Sequence, residues 1–321
     1  MKFFLVLMVL GWGLFAPVLS SAQTPTNTYV PTITPIATPT SHSQAVLALE
    51  RNDGKVTKIN ATDQAGEGDF IASGVGTPND ILQLPGYNIL VVENSTVLSE
   101  WTTSGAHVRD WGCSSGGPSF GAIVNPYTGN TLVMVGPSDL IRECDSGTGA
   151  EVTATWMDLA ATCDNPNGAV IGNDGHLYVN CPGNDVVISI HVTDKRVISG
   201  TFMQDATHLT NATHLMIGTS AFFTSEALTT IEQFDSDGAW VKTLTTAPSS
   251  PRGLGLSNDS TVVVADFSGT NFLKEYNEST GAEIDATWGP SLEGPYNWSY
   301  AIVSDTPTPT PVPVGDIIWF E

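Results

Sequence analysis

The sequence predicts an all-β fold: a six-bladed β-propeller closed by a composite blade from both ends of the chain, flanked by Thr/Pro-rich spacers. Three observations predict it. The 321 residues are 41% hydrophobic but only 14% charged, and the Lys, Glu and Arg that fill surface helices are scarce beside Thr, Ser, Val and Gly. A unit near 44 residues recurs through the middle of the chain. The two ends of that repeat each supply part of a unit, and the parts complement one another.

In chain order, residues 1–22 read as a secretory signal peptide. Lys2 precedes an apolar run to Leu19, and the small residues Ser20 and Ala22 come after it. Gly11, Gly13 and Pro17 interrupt the run, and no basic stop-transfer cluster comes next, so a membrane anchor fits less well. Residues 23–43 form a first spacer, with TPTNTYVPTITPIATPT from Thr24 to Thr40. Residues 306–321 hold the second, TPTPTPVP, and a short apolar tail. Proline at this density removes amide donors and fixes φ, which favours extended polyproline-like chain.

The predicted propeller spans residues 44–305. Asp145-Ser-Gly-Thr-Gly-Ala-Glu-Val-Thr-Ala-Thr-Trp156 recurs as Asn277-Glu-Ser-Thr-Gly-Ala-Glu-Ile-Asp-Ala-Thr-Trp288, an offset of 132 residues, or three units. Short strands such as Ile89–Glu93, Thr131–Val135, His176–Asn180, Ala221–Ser225 and Thr261–Ala265 come after proline-containing turns at Pro78, Pro118, Pro166 and Pro251; Pro295 precedes the last strand, and Ala212-Thr213-His214 takes the proline's place in one unit. A large apolar residue closes each unit: Phe70, Trp111, Trp156, Phe202, Leu244 and Trp288. A residue fixed at one place per repeat is expected to pack neighbouring units together. Asn173-Asp174-Gly175 and Asp237-Gly238 mark hairpins. Four short strands per unit of this length describe a propeller blade. Strands near Ala45–Glu50, Lys55–Asn60 and Asp69–Ser73 should complete the blade begun by Trp298–Ser304.

Pro166-Asn-Gly-Ala-Val-Ile-Gly-Asn-Asp-Gly-His-Leu-Tyr-Val-Asn180 and Pro251-Arg-Gly-Leu-Gly-Leu-Ser-Asn-Asp-Ser-Thr-Val-Val-Val-Ala-Asp266 resemble NHL-type propeller repeats. Such repeats run from proline through a glycine and two strands to a closing acidic residue, an architecture shared by the SMP-30/gluconolactonase-like and virginiamycin B lyase-like families. The resemblance implies a divalent cation on the propeller axis. Its ligands would be Glu293 in Glu293-Gly294-Pro295, Asn167 in Asn167-Gly168 or Asn79 in Pro78-Asn79-Asp80, and Asp266 by position. The same residues also suit plain turns before a strand.

The loops leading into innermost strands share one face of a propeller. That face is expected to carry Asn79, Asp80, Asn167, His214, Arg252 and Asn297, with Asn94, Glu226 and Asp266 from neighbouring loops. Converging Asn, Asp and Glu oxygens suit Ca²⁺, and His214 is a candidate donor or base. No nucleophile elbow, phosphate loop or HExxH motif occurs. Cys163 and Cys181 flank the hairpin at Asn173–Gly175 and are expected to pair; Cys113 and Cys144 are expected on opposite faces of the second blade, which leaves them unassigned.

Together these features predict a secreted, extracellular or surface-displayed binding module, the periplasm being a further location. It would be a monomer recognising a protein, glycan or small molecule. The alternative is a divalent-cation-dependent lactonase-type hydrolase or lyase. A net charge of −22 repels phosphate backbones and disfavours nucleic acid. No later run is long and apolar enough to span a bilayer.

Overall fold

A computed structural model describes residues 43–303 apart from 115–116, 227–228, 247, 258–260 and 268–270. The expected leader, both Thr/Pro spacers and the apolar tail lie outside the described residues. The chain opens with β1 (Ser43–Glu50), β2 (Lys55–Asn60) and β3 (Gly66–Ile71). Four strands come next as β4 (Pro78–Gln83), β5 (Ile89–Glu93), β6 (Leu98–Trp101) and β7 (His107–Trp111). The next four are β8 (Ser119–Val124), β9 (Thr131–Val135), β10 (Leu140–Cys144) and β11 (Glu151–Asp158). Then come β12 (Ala169–Ile171), β13 (His176–Cys181), β14 (Val186–His191) and β15 (Arg196–Gln204). After them run β16 (Ala212–Ile217), β17 (Phe222–Glu226), β18 (Ile231–Phe234) and β19 (Trp240–Thr245). The last are β20 (Pro251–Leu256), β21 (Val262–Asp266), β22 (Leu273–Tyr276), β23 (Glu283–Trp288) and β24 (Pro295–Val303).

These strands form six four-stranded antiparallel sheets in a ring. Five sheets are continuous in sequence, and the sixth has the order β24-β1-β2-β3. The composite closure is therefore as the repeat predicts. Its seam runs from Ser43 opposite Val303 to Glu50 opposite Pro295, with one irregularity near Glu50. Two details differ from the sequence reading. The third strand is Gly66–Ile71 rather than Asp69–Ser73, because Gly68, at φ +97, lets the backbone bend into the pairing early. Pro78, Pro251 and Pro295 open their strands instead of preceding them, a place where a missing N–H costs little.

Burial tracks position within the blade. In β5, β9, β17 and β21 every residue is buried, because a second strand is covered on both faces by neighbouring blades. Their sequences, such as Ile89-Leu-Val-Val-Glu93, accordingly lack polar alternation. The outermost strands are exposed except near their ends: in β7 Trp111 alone is buried, and in β23 Trp288 alone. Apolar clusters bridge adjacent sheets, as where Leu132, Met134 and Trp156 pack with Leu177, Val179 and Ile188. Each such aliphatic side chain contributes roughly 1.5–3 kcal/mol on burial.

The residue that closes each unit meets the next blade in a constant way. The turn between the third and fourth strands contains one residue at positive φ, and that residue lies against the closing residue of the preceding blade. Gly105 meets Phe70, Gly149 meets Trp111, Gly238 meets Phe202 and Gly281 meets Leu244. A Cβ at any of the four would collide with its partner. Lys195, at φ +51, instead places its ammonium 5.6 Å from the Trp156 ring centre. Gln64, at φ +59, accepts the Trp288 indole N–H at 3.0 Å when its amide oxygen faces the ring. All six junctions share this lock.

Both cysteine pairs are disulfides. Cys163–Cys181, with Cα atoms 5.1 Å apart, pairs as expected and ties the connection after β11 to β13. Cys113–Cys144, 5.9 Å apart, corrects the expectation of opposite faces. Cys113 lies just past β7 of one blade, and Cys144 ends β10 of the next. Strand twist carries the end of an outer strand across the neighbouring blade's third strand, which counting along flat blades misses.

Candidate functional site

The propeller has two faces. On the connector face an outermost strand of one blade leads into the innermost strand of the next, and the turn face lies opposite. Both ends of the described chain, Ser43 and Val303, lie side by side on the turn face. The sequence-predicted residues sit at the start of innermost strands on the connector face, or just before them.

Asn79, Asp80, Asn167, His214, Arg252 and Asn297 occupy equivalent places around the axis, and short contacts join several of them. Asn297 donates to Asp80 Oδ1 at 2.6 Å. The same carboxylate accepts the Ile81 N–H at 2.8 Å and the Ala122 N–H at 2.9 Å. Asn79 Nδ2 donates to the Ser119 carbonyl at 3.1 Å, linking β4 to β8, while its Oδ1 is buried without a partner among the described residues. A side chain at Gly121 would strike the Asn167 carbonyl. Gly168 packs on the His214 backbone, and Gly253 packs on Asn297. Ser225 Oγ donates to the Arg252 carbonyl at 2.8 Å. The chosen residues thus build much of the polar ring around the axis.

Burial sets the charge of that ring. Desolvation pushes the Asp80 carboxyl up to about 7, against three hydrogen bonds that favour the ionised form. Desolvation likewise pushes His214 down to about 4, so its imidazole is neutral at physiological pH. Glu226 is raised to about 9 by burial and, secondarily, by Glu232 and Asp185. At neutral pH His214 and Glu226 are therefore uncharged, and Asp80 is part-ionised.

The acidic residues that end second strands are bound into the fold by hydrogen bonds. Glu50 accepts the Glu293 N–H at 2.5 Å and a hydroxyl from Thr57. Glu93 accepts the Gly76 N–H at 3.0 Å and the Ser99 hydroxyl at 3.1 Å. Asp266 accepts the Ser249 and Ser250 N–H groups, each at 3.0 Å, and pairs with buried Lys274 at 2.7 Å. Each carboxylate pins the connection leading into its own blade and takes one further group from the third strand. The closing acidic residue of the repeat is therefore a structural clamp. Asp266 is committed to this clamp, and the Glu293 side chain is exposed. Among the described residues no three His, Cys, Asp or Glu side chains group closely enough to hold a metal ion. Of the residues expected to bind an axial divalent cation, Asp266 thus already has its partners in the fold.

Glu226 departs from this pattern. It accepts only the Thr224 hydroxyl at 3.0 Å, and its Oε2 is buried with no hydrogen-bond partner among the described residues. The sequence reading placed Glu226 on this face but gave no sign that it differs from Glu93 or Asp266. That reading did not include Arg51 and Tyr296. Arg51 comes directly after β1, and its guanidinium carbon lies 4.3 Å from the Tyr296 ring centre, with that of Arg252 at 5.9 Å. The equivalence of residues just past second strands was the signal that could have found Arg51. Elsewhere, His208 stacks on Trp240 with ring centres 3.9 Å apart, away from the axis.

Clefts of about 420, 340 and 240 Å³ lie between blades on the turn face. Their walls are hairpin turns, and polar groups there are largely engaged. Glu100, for example, accepts from Asn88, Arg109 and Trp111.

No family model and no curated protein matches the chain. Solved structures do resemble it in fold. A chain of a nidogen/laminin complex aligns with a TM-score of 0.64 and 15% identity, covering 80% of this chain and 98% of that one. A streptogramin B lyase gives 0.59 and 13%, covering 80% and 87%. A putative 6-phosphogluconolactonase from Bacteroides fragilis gives 0.56 and 12%, covering 83% and 100%. At these identities the likeness shows a shared propeller fold, which serves both binding proteins and enzymes.

Proposed function

We propose that the chain is an exported binding module, held from its turn face and presenting its connector face to a partner outside the cell. The pairing of Ser43 with Val303 carries this reading. The chain enters and leaves the described propeller at Ser43 and Val303 on the turn face, which leaves the connector face, with its polar axial ring, for a partner. Two disulfides, and the lack of any helix among the described residues long and apolar enough to cross a membrane, are consistent with an extracellular location. The propeller in the nidogen/laminin complex is a precedent for such a fold in a protein assembly.

Site-specific photocrosslinking tests the reading. A crosslinker at exposed Asn94, on the connector face, is expected to capture a defined partner from the native extracellular milieu. One at exposed Tyr127, on the turn face, is expected not to. Equal capture from both faces would overturn the assignment. The rival reading, a lactone hydrolase or lyase, draws on the neutral His214 imidazole near the axis, a group able to take up a proton. Turnover of lactones or cyclic esters by the purified protein, lost in His214→Ala, would establish that reading in place of the first.

A further inference from the structure

The chain has 33 acidic and 11 basic residues. In such an excess of carboxylates a cationic side chain finds a partner easily. Lys55, Lys58, Arg109, Arg142, Lys195 and Lys274 each lie within 4 Å of a carboxylate oxygen. Like Arg196 and Lys242, Arg51 and Arg252 have no carboxylate within that distance among the described residues. They come from different blades, yet both guanidinium groups sit over one ring, Tyr296, and Phe267 meets the same ring edge-on at 5.7 Å. The Arg252 Nε is also buried without an acceptor among the described residues.

Two like charges brought to one ring repel each other, and the ring's negative face offsets only part of that repulsion. A guanidinium held over a ring still has N–H groups to give, and it binds planar oxyanions with them in pairs. The neighbouring ring around the axis does not supply that anion. Asp80 is engaged by Asn297 and two backbone amides, and Glu226 is largely protonated. A net charge of −22 repels polyanions as a class. A single compact anion on an otherwise neutral body meets less of that repulsion.

We propose that Arg51, Tyr296 and Arg252 form a carboxylate-binding subsite on the connector face, taking one carboxylate of a ligand that is otherwise uncharged. The proposal rests on the reading of that face as the binding face and specifies the chemistry it recognises. Benzoate and its neutral twin benzamide are suitable probes. In the intact protein with ¹⁵N-labelled arginine, benzoate should shift the Nε–H signals of Arg51 and Arg252 saturably, while benzamide should not. Arg51→Gln and Arg252→Gln should each weaken benzoate binding by about tenfold or more, as loss of a charge-assisted pair requires. Arg196→Gln is the comparison that should leave it unchanged.

Three results would overturn the proposal: no shift at about 50 mM benzoate, well above the millimolar range expected of a weak site; equal shifts with benzamide; or inorganic sulfate binding more tightly than benzoate. If a variant fails to fold, the benzoate–benzamide contrast on the unaltered protein still decides. The crosslinking experiment is independent of these outcomes. A face that captures a partner but ignores benzoate would sink the subsite alone.

Discussion

Glu226 shows how one side chain can govern the pH response of the molecule. Its carboxyl takes up a proton near 9 when folded, against 4.5 for the unconstrained group. Between those values the folded state holds the extra proton, so stability falls as pH rises. Asp80 acts in the same direction, but only between 3.8 and about 7. His214 acts oppositely: between about 4 and 6.5 the unfolded state holds the extra proton, so its contribution to stability grows with pH. From pH 7 to 9 Glu226 is therefore the one of the three still titrating. Glu226→Gln, which mimics the protonated form, should flatten the fall of melting temperature over that range. At pH 9 it should be more stable than the parent by on the order of a few kcal/mol, because the parent must hold in the folded state a proton that its unfolded state has released. At pH 5 the two proteins should melt alike. A parallel decline in both would show that Glu226 is ionised in the fold. The sequence placed this residue correctly, since a strand of Phe, Phe, Thr and Ser leads straight to it. It could not show that Glu226 has, among the described residues, none of the amide partners of Glu93 and Asp266, because those come from connections distant in sequence.

At the scale of elements, the blade period was legible because turn chemistry repeats. Asp145 Oδ1 accepts the Gly147 and Thr148 N–H groups, and Asn277 Oδ1 accepts those of Ser279 and Thr280. The repeated segment is a hairpin cap, which explains why it stands out. The glycine in each cap was not legible as a packing residue, since its partner lies one blade earlier. Two glycines separate the backbone from the contact. Gly281, at φ +71, faces the Leu244 carbonyl, whereas Gly129, at φ +73, has nothing within 4 Å of an added Cβ. Alanine at either should cost the roughly 1–2 kcal/mol of a left-handed residue. Gly281→Ala should cost at least about 1 kcal/mol more, because the neighbouring blade must shift. Denaturant melts of the pair measure the difference, and equal losses would mean that the inter-blade contact has no energetic weight. The Cys113–Cys144 bridge belongs to the same scale. It escaped the sequence reading because twist, not strand count, brings its ends together.

Across the whole molecule, stability depends on a seam between residues far apart in the chain. β24 pairs with β1 and packs beside β4 and β20. Removing residues 290–321 should leave β1 as an open edge and expose the apolar cluster of Val46, Ala48 and Trp288, giving aggregation and a large loss of melting temperature. Removing only residues 306–321 should change the melting temperature little. Equal, mild effects would refute the view that the seam holds the ring. The fold was readable from the sequence at this scale because closure needs only that the end strands complement each other. The axial site was readable only as a set of positions. Which of those groups are spent on one another, as Asp80 is on Asn297 and Asp266 on Lys274, depends on distances between blades that no local pattern encodes.

The seam also sets how the ring bears tension. β1 and β24 run antiparallel, and Ser43 opposite Val303 places both free ends at one extremity of their shared ladder. A pull drawing those ends apart would fall first on that outermost pair, then on Gln44 and Ile302, one rung after another. Rungs loaded in succession cannot share the force as they would if the ends left from opposite extremities. The ring that resists heat through its core should therefore yield to traction by unzipping at its seam.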